Sequence, residues 1–183
     1  EFLIDRCSVD FDKKKGDKLD LTAEGAHSEP RIIHSKDRTG EIIQRTVIDV
    51  LLEHPNVEIM TKHTVVDLMT LSHHSTNNLD IYKKPACFGA MILDNESGEV
   101  VPYYASRTIL ATGGLGNIFL HTTNPKESTG DGIALSWRAG ARVFNLQYIQ
   151  FHPTTFYNKG DRFLISEAMR GEGAILMDKN GNE

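Results

Sequence analysis

The chain has 183 residues, of which 39% are hydrophobic, which is enough to bury one sizeable core in one domain or in a domain and part of a second. Its formal net charge is -5 and its lysines and arginines are scattered, which argues against a nucleic-acid-binding or membrane-binding surface. No run approaches the roughly 20 apolar residues that a bilayer span needs, and Cys7 and Cys87 are far apart, so a cytosolic protein without a disulfide scaffold or zinc site is expected.

The first third of the chain predicts short strands followed by a helix. Apolar and polar residues alternate over residues 1–33 around a charged stretch at 12–17, a pattern typical of short strands joined by a turn. From Thr39 the apolar residues recur with helical spacing, and Asn56, after a proline, marks a stop. This pattern predicts an amphipathic helix of about four turns.

The middle of the chain predicts strands around a polar loop. Residues 57–60 and 64–69 have the composition of two strands, and residues 87–104 predict a hairpin. Residues 71–86 are polar and predict a surface loop. The adjacent histidines of this loop allow a metal site as the alternative, but no further ligand stands at a suitable spacing, so no metal is expected.

Two glycine-rich segments follow. Residues 106–110 predict a buried strand that ends in the small residues 111–114, and residues 133–139 predict a helix that begins after Asp131. Small residues let a backbone approach a bulky cofactor closely, although a tight structural turn explains them equally well. Amides at a helix start can bind anionic oxygens, and Asp131 can accept hydrogen bonds from sugar hydroxyls or can simply cap the helix.

A polar cluster occupies residues 150–173. His152 precedes a proline, and hydroxyl residues, Glu167 and Arg170 follow it. Such a set of side chains can bind a carboxylate. Taken alone, Glu167 and Arg170 have the spacing of an ordinary salt bridge on a helix surface.

In this order, the segments resemble the succinate dehydrogenase and fumarate reductase flavoprotein superfamily, whose members read ATGG, TNP, TGDG, QFHPT and TExxRGEG. The chain has these motifs between residues 111 and 173, with Ser166 in place of the threonine. Residues 21–41, which include EGAHS and RIIH, resemble the L-aspartate oxidases of that superfamily. The resemblance implies an α/β fold: a Rossmann-like FAD-binding domain of mixed sheet with a β-hairpin over residues 1–145, and the start of an α+β capping domain over residues 146–183.

The resemblance also implies catalytic roles for five residues. Glu24 would face the amino group of the substrate, and a carboxylate suits an ammonium. His152 and the hydroxyl of Ser166 would bind substrate carboxylates. Glu167 and Arg170 match a pair that relays a proton in fumarate reductases. Within the EGAHS motif, Ala26 stands where the more familiar motif has glycine.

Non-covalently bound FAD is the cofactor that the resemblance implies. Thr64 and Val65 match the segment beside the adenine. Thr112, Gly113 and Asp131 match positions that contact the flavin. The GxGxxG loop that cradles the FAD pyrophosphate does not occur in the chain, so residues 1–183 are expected to be an internal fragment that is inactive by itself.

The implied reaction is the oxidation of L-aspartate to iminosuccinate, with dioxygen or fumarate as acceptor, as the first step of NAD biosynthesis through quinolinate. Quinolinate synthase is a candidate partner on the same grounds. One alternative is a fumarate reductase or succinate dehydrogenase flavoprotein subunit. Glu24 is the residue that distinguishes an L-aspartate oxidase from this alternative. The other is a non-catalytic α/β binding module, in which the glycines are turns and the Glu167/Arg170 pair lies on the surface.

Overall fold

The computed structural model describes residues 1–24 and 27–183 of the chain. Contacts between Cα atoms divide them into a first unit, Glu1–Ile59 with Thr154–Phe156 and Phe163–Glu183, and a second unit, Met60–Pro153 with Tyr157–Arg162. The helices are α1 (Thr39–Leu52), α2 (Leu71–His74), α3 (Asp131–Arg138) and α4 (Glu167–Gly171). The strands are β1 (Leu21–Thr22), β2 (Ile32–Ile33), β3 (His63–Thr70), β4 (Cys87–Asp94), β5 (Val100–Tyr104), β6 (Thr155–Asn158) and β7 (Asp161–Leu164).

The first unit has its core near the N-terminus of the chain. Cys7, Val9 and Phe11 form a buried cluster, and Ile42 and Val47 of α1 pack against it. The predicted amphipathic helix is therefore confirmed, and its apolar face covers this cluster. The short antiparallel pair β1–β2 lies in the same unit, with Thr22 opposite Ile32.

The predicted strand at the start of the chain is wrong. Phe2–Arg6 forms a single π-helical turn, and Leu3 packs against the Cys7 cluster. Alternation over only two apolar positions, Phe2 and Ile4, does not distinguish a strand from a helical turn. A strand also needs a neighbour to accept its hydrogen bonds, and none of the described strands pairs with residues 2–6.

The second unit is built on the three-stranded antiparallel sheet β3–β4–β5. The predicted hairpin is confirmed as β4 and β5. At its turn the Glu96 N–H (2.8 Å) and the Ser97 hydroxyl (2.9 Å) donate to the Asp94 carboxylate, and these bonds lower the pKa of Asp94.

Helix α3 packs on this sheet through Leu135, which is 2% exposed and lies against Leu68 and Ala90. The register of β3 and β4 skips Val66, as in a β-bulge. The Val66 carbonyl accepts a hydrogen bond of 2.9 Å from Arg138 of α3. The predicted helix at 133–139 and the predicted strand at 64–69 are thus both confirmed, and they pack together.

Three other segments differ from their predictions. Residues 57–60 and 106–110 are not strands, and Ile109 is 89% exposed. Neither segment has a partner strand among the described residues, so neither can form a ladder. Residues 71–86 contain α2 and the 3₁₀ turn Asn78–Tyr82 instead of a featureless loop. Buried Asp80 stabilises this turn by accepting from the Ser75 hydroxyl at 2.6 Å.

Gly89 of β4 provides a test of the sheet. A Cβ atom at this position would lie 2.0 Å from the carbonyl oxygen of Tyr103, and the φ angle of Gly89 is +149°. We expect Gly89→Ala to lower the free energy of unfolding by about 1–2 kcal/mol, because a strand backbone must move. Urea denaturation measures the change. Gly98→Ala at the turn of the same hairpin is the control, because its φ angle is also positive (+76°) but nothing lies within 4 Å of its added Cβ. A Gly89→Ala loss no larger than that of the control would contradict the packing described.

No helix in the described part of the chain combines the length and the apolar character that crossing a membrane requires.

Candidate active site

One cavity of the first unit, of about 570 Å³, brings two of the predicted catalytic residues to the same surface. Glu24 and Ser166 both line it, although they are far apart in the sequence. The other lining residues come from β1, from β2 and the turn after it, from the start of α1, and from the end of β7 and α4: Thr22, Ile32, His34, Lys36, Asp37, Thr39, Gly40, Leu164 and Ala168. The cavity therefore combines two carboxylates, three hydroxyl groups, a histidine and a lysine.

Glu24 is exposed and lies two residues beyond β1. Its backbone N–H donates to His27 Nδ1 (3.2 Å), and its carbonyl accepts from the His27 N–H (2.9 Å). Gly25 and Ala26 of the EGAHS motif lie outside the described residues. These two hydrogen bonds join Glu24 directly to His27.

Ser166 is half-buried and caps the N-terminus of α4. Its hydroxyl oxygen accepts from the Ala168 N–H at 3.3 Å, which leaves the hydroxyl hydrogen available as a donor. On the same helix, Arg170 donates to Glu167 at 3.3 Å. The predicted Glu167/Arg170 pair thus forms an ion pair within one helical turn, directly after the capping residue.

The cap makes a specific prediction for Ser166. Ser166→Ala removes the oxygen that accepts from the first turn of α4, so we expect a loss of about 1 kcal/mol in the free energy of unfolding. Ser166→Thr keeps the hydroxyl and is expected to stay within about 0.5 kcal/mol of the parent. Chemical denaturation of the three proteins measures both values. Equal losses in the alanine and threonine variants would show that the cap does not carry the effect.

His34, Lys36 and Asp37 were not predicted as site residues from the sequence, yet all three line the cavity beside Glu24. The turn that carries His34 and Lys36 is held by Asp12. The Asp12 carboxylate lies 3.0 Å from His34 Nδ1 and accepts from the Lys36 N–H at 2.5 Å. The RIIH motif of the aspartate oxidase resemblance pointed to this turn, but the contact with Asp12 comes from the fold.

His152 lies in the second unit and is half-buried. The residue before it, Phe151, packs edge-on against Phe119, with ring centroids 5.2 Å apart. Phe119 lines an apolar cavity of about 560 Å³ together with Trp137. The loop that presents His152 is therefore anchored by an aromatic contact.

Three of the predicted flavin-contacting residues lie around the start of α3. Gly113 has a φ angle of +73°, and the next residue, Gly114, accepts from the Gly130 N–H at 3.2 Å. A Cβ atom on Gly132 would lie 1.9 Å from Thr112 Oγ1, so the Thr112 side chain rests on Gly132. Asp131 stands between these glycines, and its carboxylate accepts from the Thr129 hydroxyl at 2.8 Å.

This arrangement fits the cofactor that the sequence implies. Thr112, Gly113 and Gly132 line a cavity of about 520 Å³ at the start of α3. Glycines allow close backbone approach there, and the first amides of a helix can donate to anionic or carbonyl oxygens. Both features are what a bulky, polar dinucleotide requires. The N-cap residue of α3 is Gly130, and Asp131 is the first residue of the helix, where its negative charge lies in the first turn.

Thr64 and Val65 lie in β3. The Thr64 hydroxyl accepts from the Asn95 side-chain amide at 3.0 Å, and Val65 packs against the cluster that contains Leu135 of α3. Val65 thus connects β3 to the helix whose start carries Asp131. Among the described residues, no group of three histidine, cysteine or acidic side chains could hold a metal ion.

The whole chain, residues 1–183, matches the family of FAD binding domains. It is 46% identical over 162 residues to L-aspartate oxidase of Pseudomonas aeruginosa, and 45% identical over 162 residues to L-aspartate oxidase 1 of Ralstonia nicotianae. Each match covers 88% of this chain and 29% of the relative. The L-aspartate oxidase of Yersinia pestis is 38% identical over all of this chain and 34% of its own length. The chain thus spans about a third of these relatives.

Solved structures agree with the fold. A quinol fumarate reductase FrdA structure from E. coli superposes with a TM-score of 0.82 at 24% identity, over 96% of this chain and 28% of that one. The Sdh1 structure of Mycobacterium smegmatis in complex with UQ1 superposes with a TM-score of 0.73 at 29% identity, over 98% of this chain and 30% of that one. The predicted α/β fold of a partial FAD-binding domain is confirmed.

Proposed function

This chain belongs to the family of FAD binding domains, and from that premise we propose that it is part of an enzyme that oxidises L-aspartate to iminosuccinate. The observation that carries the proposal is the cavity that Glu24 and Ser166 share. An acid and a hydroxyl donor on one surface complement the ammonium and a carboxylate of an amino-dicarboxylate. The names of the relatives, L-aspartate oxidases at 38–46% identity, support the same substrate.

Within this proposal the protein orients the substrate and balances its charge. Glu24 accepts hydrogen bonds from the substrate ammonium, and the hydroxyl hydrogen of Ser166 is donated to a carboxylate. His152 binds a carboxylate as well, which rests on its QFHPT motif. Glu167 and Arg170 move a proton, and their ion pair supports that role. Because Ser166 is already fixed as a helix cap, its donor is oriented before the substrate arrives.

The cofactor is FAD, consistent with the family, and it would be held without a covalent bond by Thr112, Gly113, Asp131, Thr64 and Val65. When bound, it supplies the two-electron oxidation of the substrate Cα–N bond. The protein's part is the glycine-lined approach at the start of α3 and the side chains that hold the dicarboxylate. We also propose that residues 1–145 belong to the FAD-binding domain and that 146–183 begin a capping domain, where the β6–β7 hairpin and α4 follow.

A place in NAD biosynthesis and an association with quinolinate synthase would follow from the reaction, since iminosuccinate is reactive and must be consumed quickly. A cytosolic location is compatible with the two free cysteines, because reducing compartments keep thiols unpaired. The plant relatives are named chloroplastic, which is the alternative compartment.

The second candidate function is that of a fumarate reductase or succinate dehydrogenase flavoprotein, which the match to Sdh1 of Mycobacterium smegmatis favours. The substrates of those enzymes have no ammonium for Glu24 to bind. Peroxide release by the full-length protein separates the two: we expect turnover with L-aspartate and little with succinate, alongside a bound-flavin absorbance spectrum. Turnover with succinate alone would reverse the assignment, and a protein without flavin absorbance would favour the non-catalytic module.

A further inference from the structure

Gly171, the last residue of α4, touches the segment that carries Glu24 more closely than any side chain would allow. A Cβ atom built on Gly171 would lie 2.5 Å from the carbonyl oxygen of Ala23 and 3.5 Å from the Cα of Glu24. The obstacle is backbone, so no side-chain rotation can relieve it. Gly171 has no positive φ angle, so the reason for glycine here is the close approach and not the backbone conformation.

The Glu24 segment has little room to move away. On one side, Thr22 is paired with Ile32 in the β1–β2 ladder, and its carbonyl accepts from the Arg31 N–H at 3.0 Å. On the other side, the Glu24 backbone is hydrogen-bonded to His27. Any displacement caused by a side chain at position 171 therefore falls mainly on Ala23 and Glu24.

The other end of α4 is fixed by Ser166. This residue caps the helix and lines the same cavity as Glu24. The last residue of this short helix thus meets the backbone of the acid, and its N-cap residue carries the hydroxyl.

We propose that Gly171 is a positioning residue that holds Glu24 in register with Ser166, so that the acid reaches the ammonium of an amino-dicarboxylate. This role rests on the proposed oxidation of L-aspartate. Gly171 itself contacts no reacting atom. It acts by letting the two backbones approach, and a methyl group in that place displaces the acid from the ammonium.

The test uses the full-length flavoprotein and its Gly171→Ala variant. We expect kcat/KM for L-aspartate to fall about tenfold or more, while fumarate reduction changes by less than about threefold, because only the amine contact is displaced. Gly173→Ala is the matched control: its φ angle is +89° and nothing lies within 4 Å of its added Cβ, so it strains the chain after α4 without touching Glu24. The control should lower thermal stability and leave the ratio of the two activities unchanged.

A double variant asks whether the effect passes through Glu24. In a Glu24→Gln background, adding Gly171→Ala should cause little further loss with L-aspartate, since the contact it misplaces is already gone. Additive losses, an unchanged activity ratio in Gly171→Ala, or failure of Gly171→Ala to fold while Gly173→Ala folds would each overturn the positioning role. A wild-type protein that does not oxidise L-aspartate would instead overturn the proposed function itself.

Discussion

Replacing Glu24 with glutamine in the full-length protein is expected to lower kcat/KM for L-aspartate by about 10- to 100-fold. A hydrogen bond between charged groups contributes about 1.5–3 kcal/mol, and glutamine keeps the shape of the side chain but loses the charge that faces the ammonium. Fumarate reduction is expected to change by less than about threefold, because fumarate has no ammonium group that could contact Glu24. Steady-state assays of the two reactions on the same preparation give the comparison.

The matched control is Glu29→Gln, which removes one exposed carboxylate a few residues further along and does not line the cavity. It should leave both activities near those of the parent. If Glu24→Gln reduced the two reactions equally, the carboxylate would be needed for folding or for dicarboxylate binding in general, and its assignment to the amino group would be refuted.

Gly132→Ala is expected to weaken FAD binding by about 10- to 100-fold. The added Cβ would lie 1.9 Å from Thr112 Oγ1 and 3.0 Å from Thr112 Cβ, so rotation of the threonine side chain alone cannot clear the overlap. The strain of such overpacking is about 1–3 kcal/mol, and it falls on the loop that we assign to the flavin. Titration of the apoprotein with FAD, followed by flavin fluorescence, measures the dissociation constant.

The same overlap should lower the thermal stability of Gly132→Ala, and adding Thr112→Ala, which removes the Oγ1 atom nearest to the new Cβ, should recover part of that stability. Gly98→Ala is a control for general destabilisation, since its φ angle is +76° and nothing lies within 4 Å of its added Cβ. We expect Gly98→Ala to bind FAD like the parent protein. An unchanged dissociation constant in Gly132→Ala would show that the start of α3 does not shape the cofactor site.

Local sequence patterns correctly predicted helix α1 and the β4–β5 hairpin, which depend mainly on short-range features of the chain. Helix α1 has an apolar stripe of helical period, and the β4–β5 hairpin has two apolar runs around an Asn-Glu-Ser-Gly turn. The segment 106–110 has the composition of a buried strand, but a strand also requires a partner, and none among the described residues pairs with it. The strand predicted at Phe2–Arg6 was wrong for the same reason, because no described strand pairs with these residues. Their apolar side chains are equally compatible with the helical turn that they form.

The site residues were predicted only in part, and more from the resemblance to a known family than from the chemistry of the residues themselves. Motif matches identified Glu24 and Ser166 as site residues, but their separation in the sequence could not predict that both line one cavity. Lys36 was missed because its turn is held by Asp12, a contact between distant residues. The role of Gly171 could not be predicted from the sequence either. Gly171 has no positive φ angle, and the reason for glycine there is the backbone of Ala23, which lies against it only in the folded chain.

Mixing the full-length flavoprotein with L-aspartate in the absence of oxygen tests the central claim most directly. The cavity that pairs an acid with a hydroxyl predicts that L-aspartate bleaches the visible absorbance of the oxidised flavin, and that the Glu24→Gln variant does so far more slowly. A flavin that stays oxidised with L-aspartate and is bleached by succinate would contradict the claim.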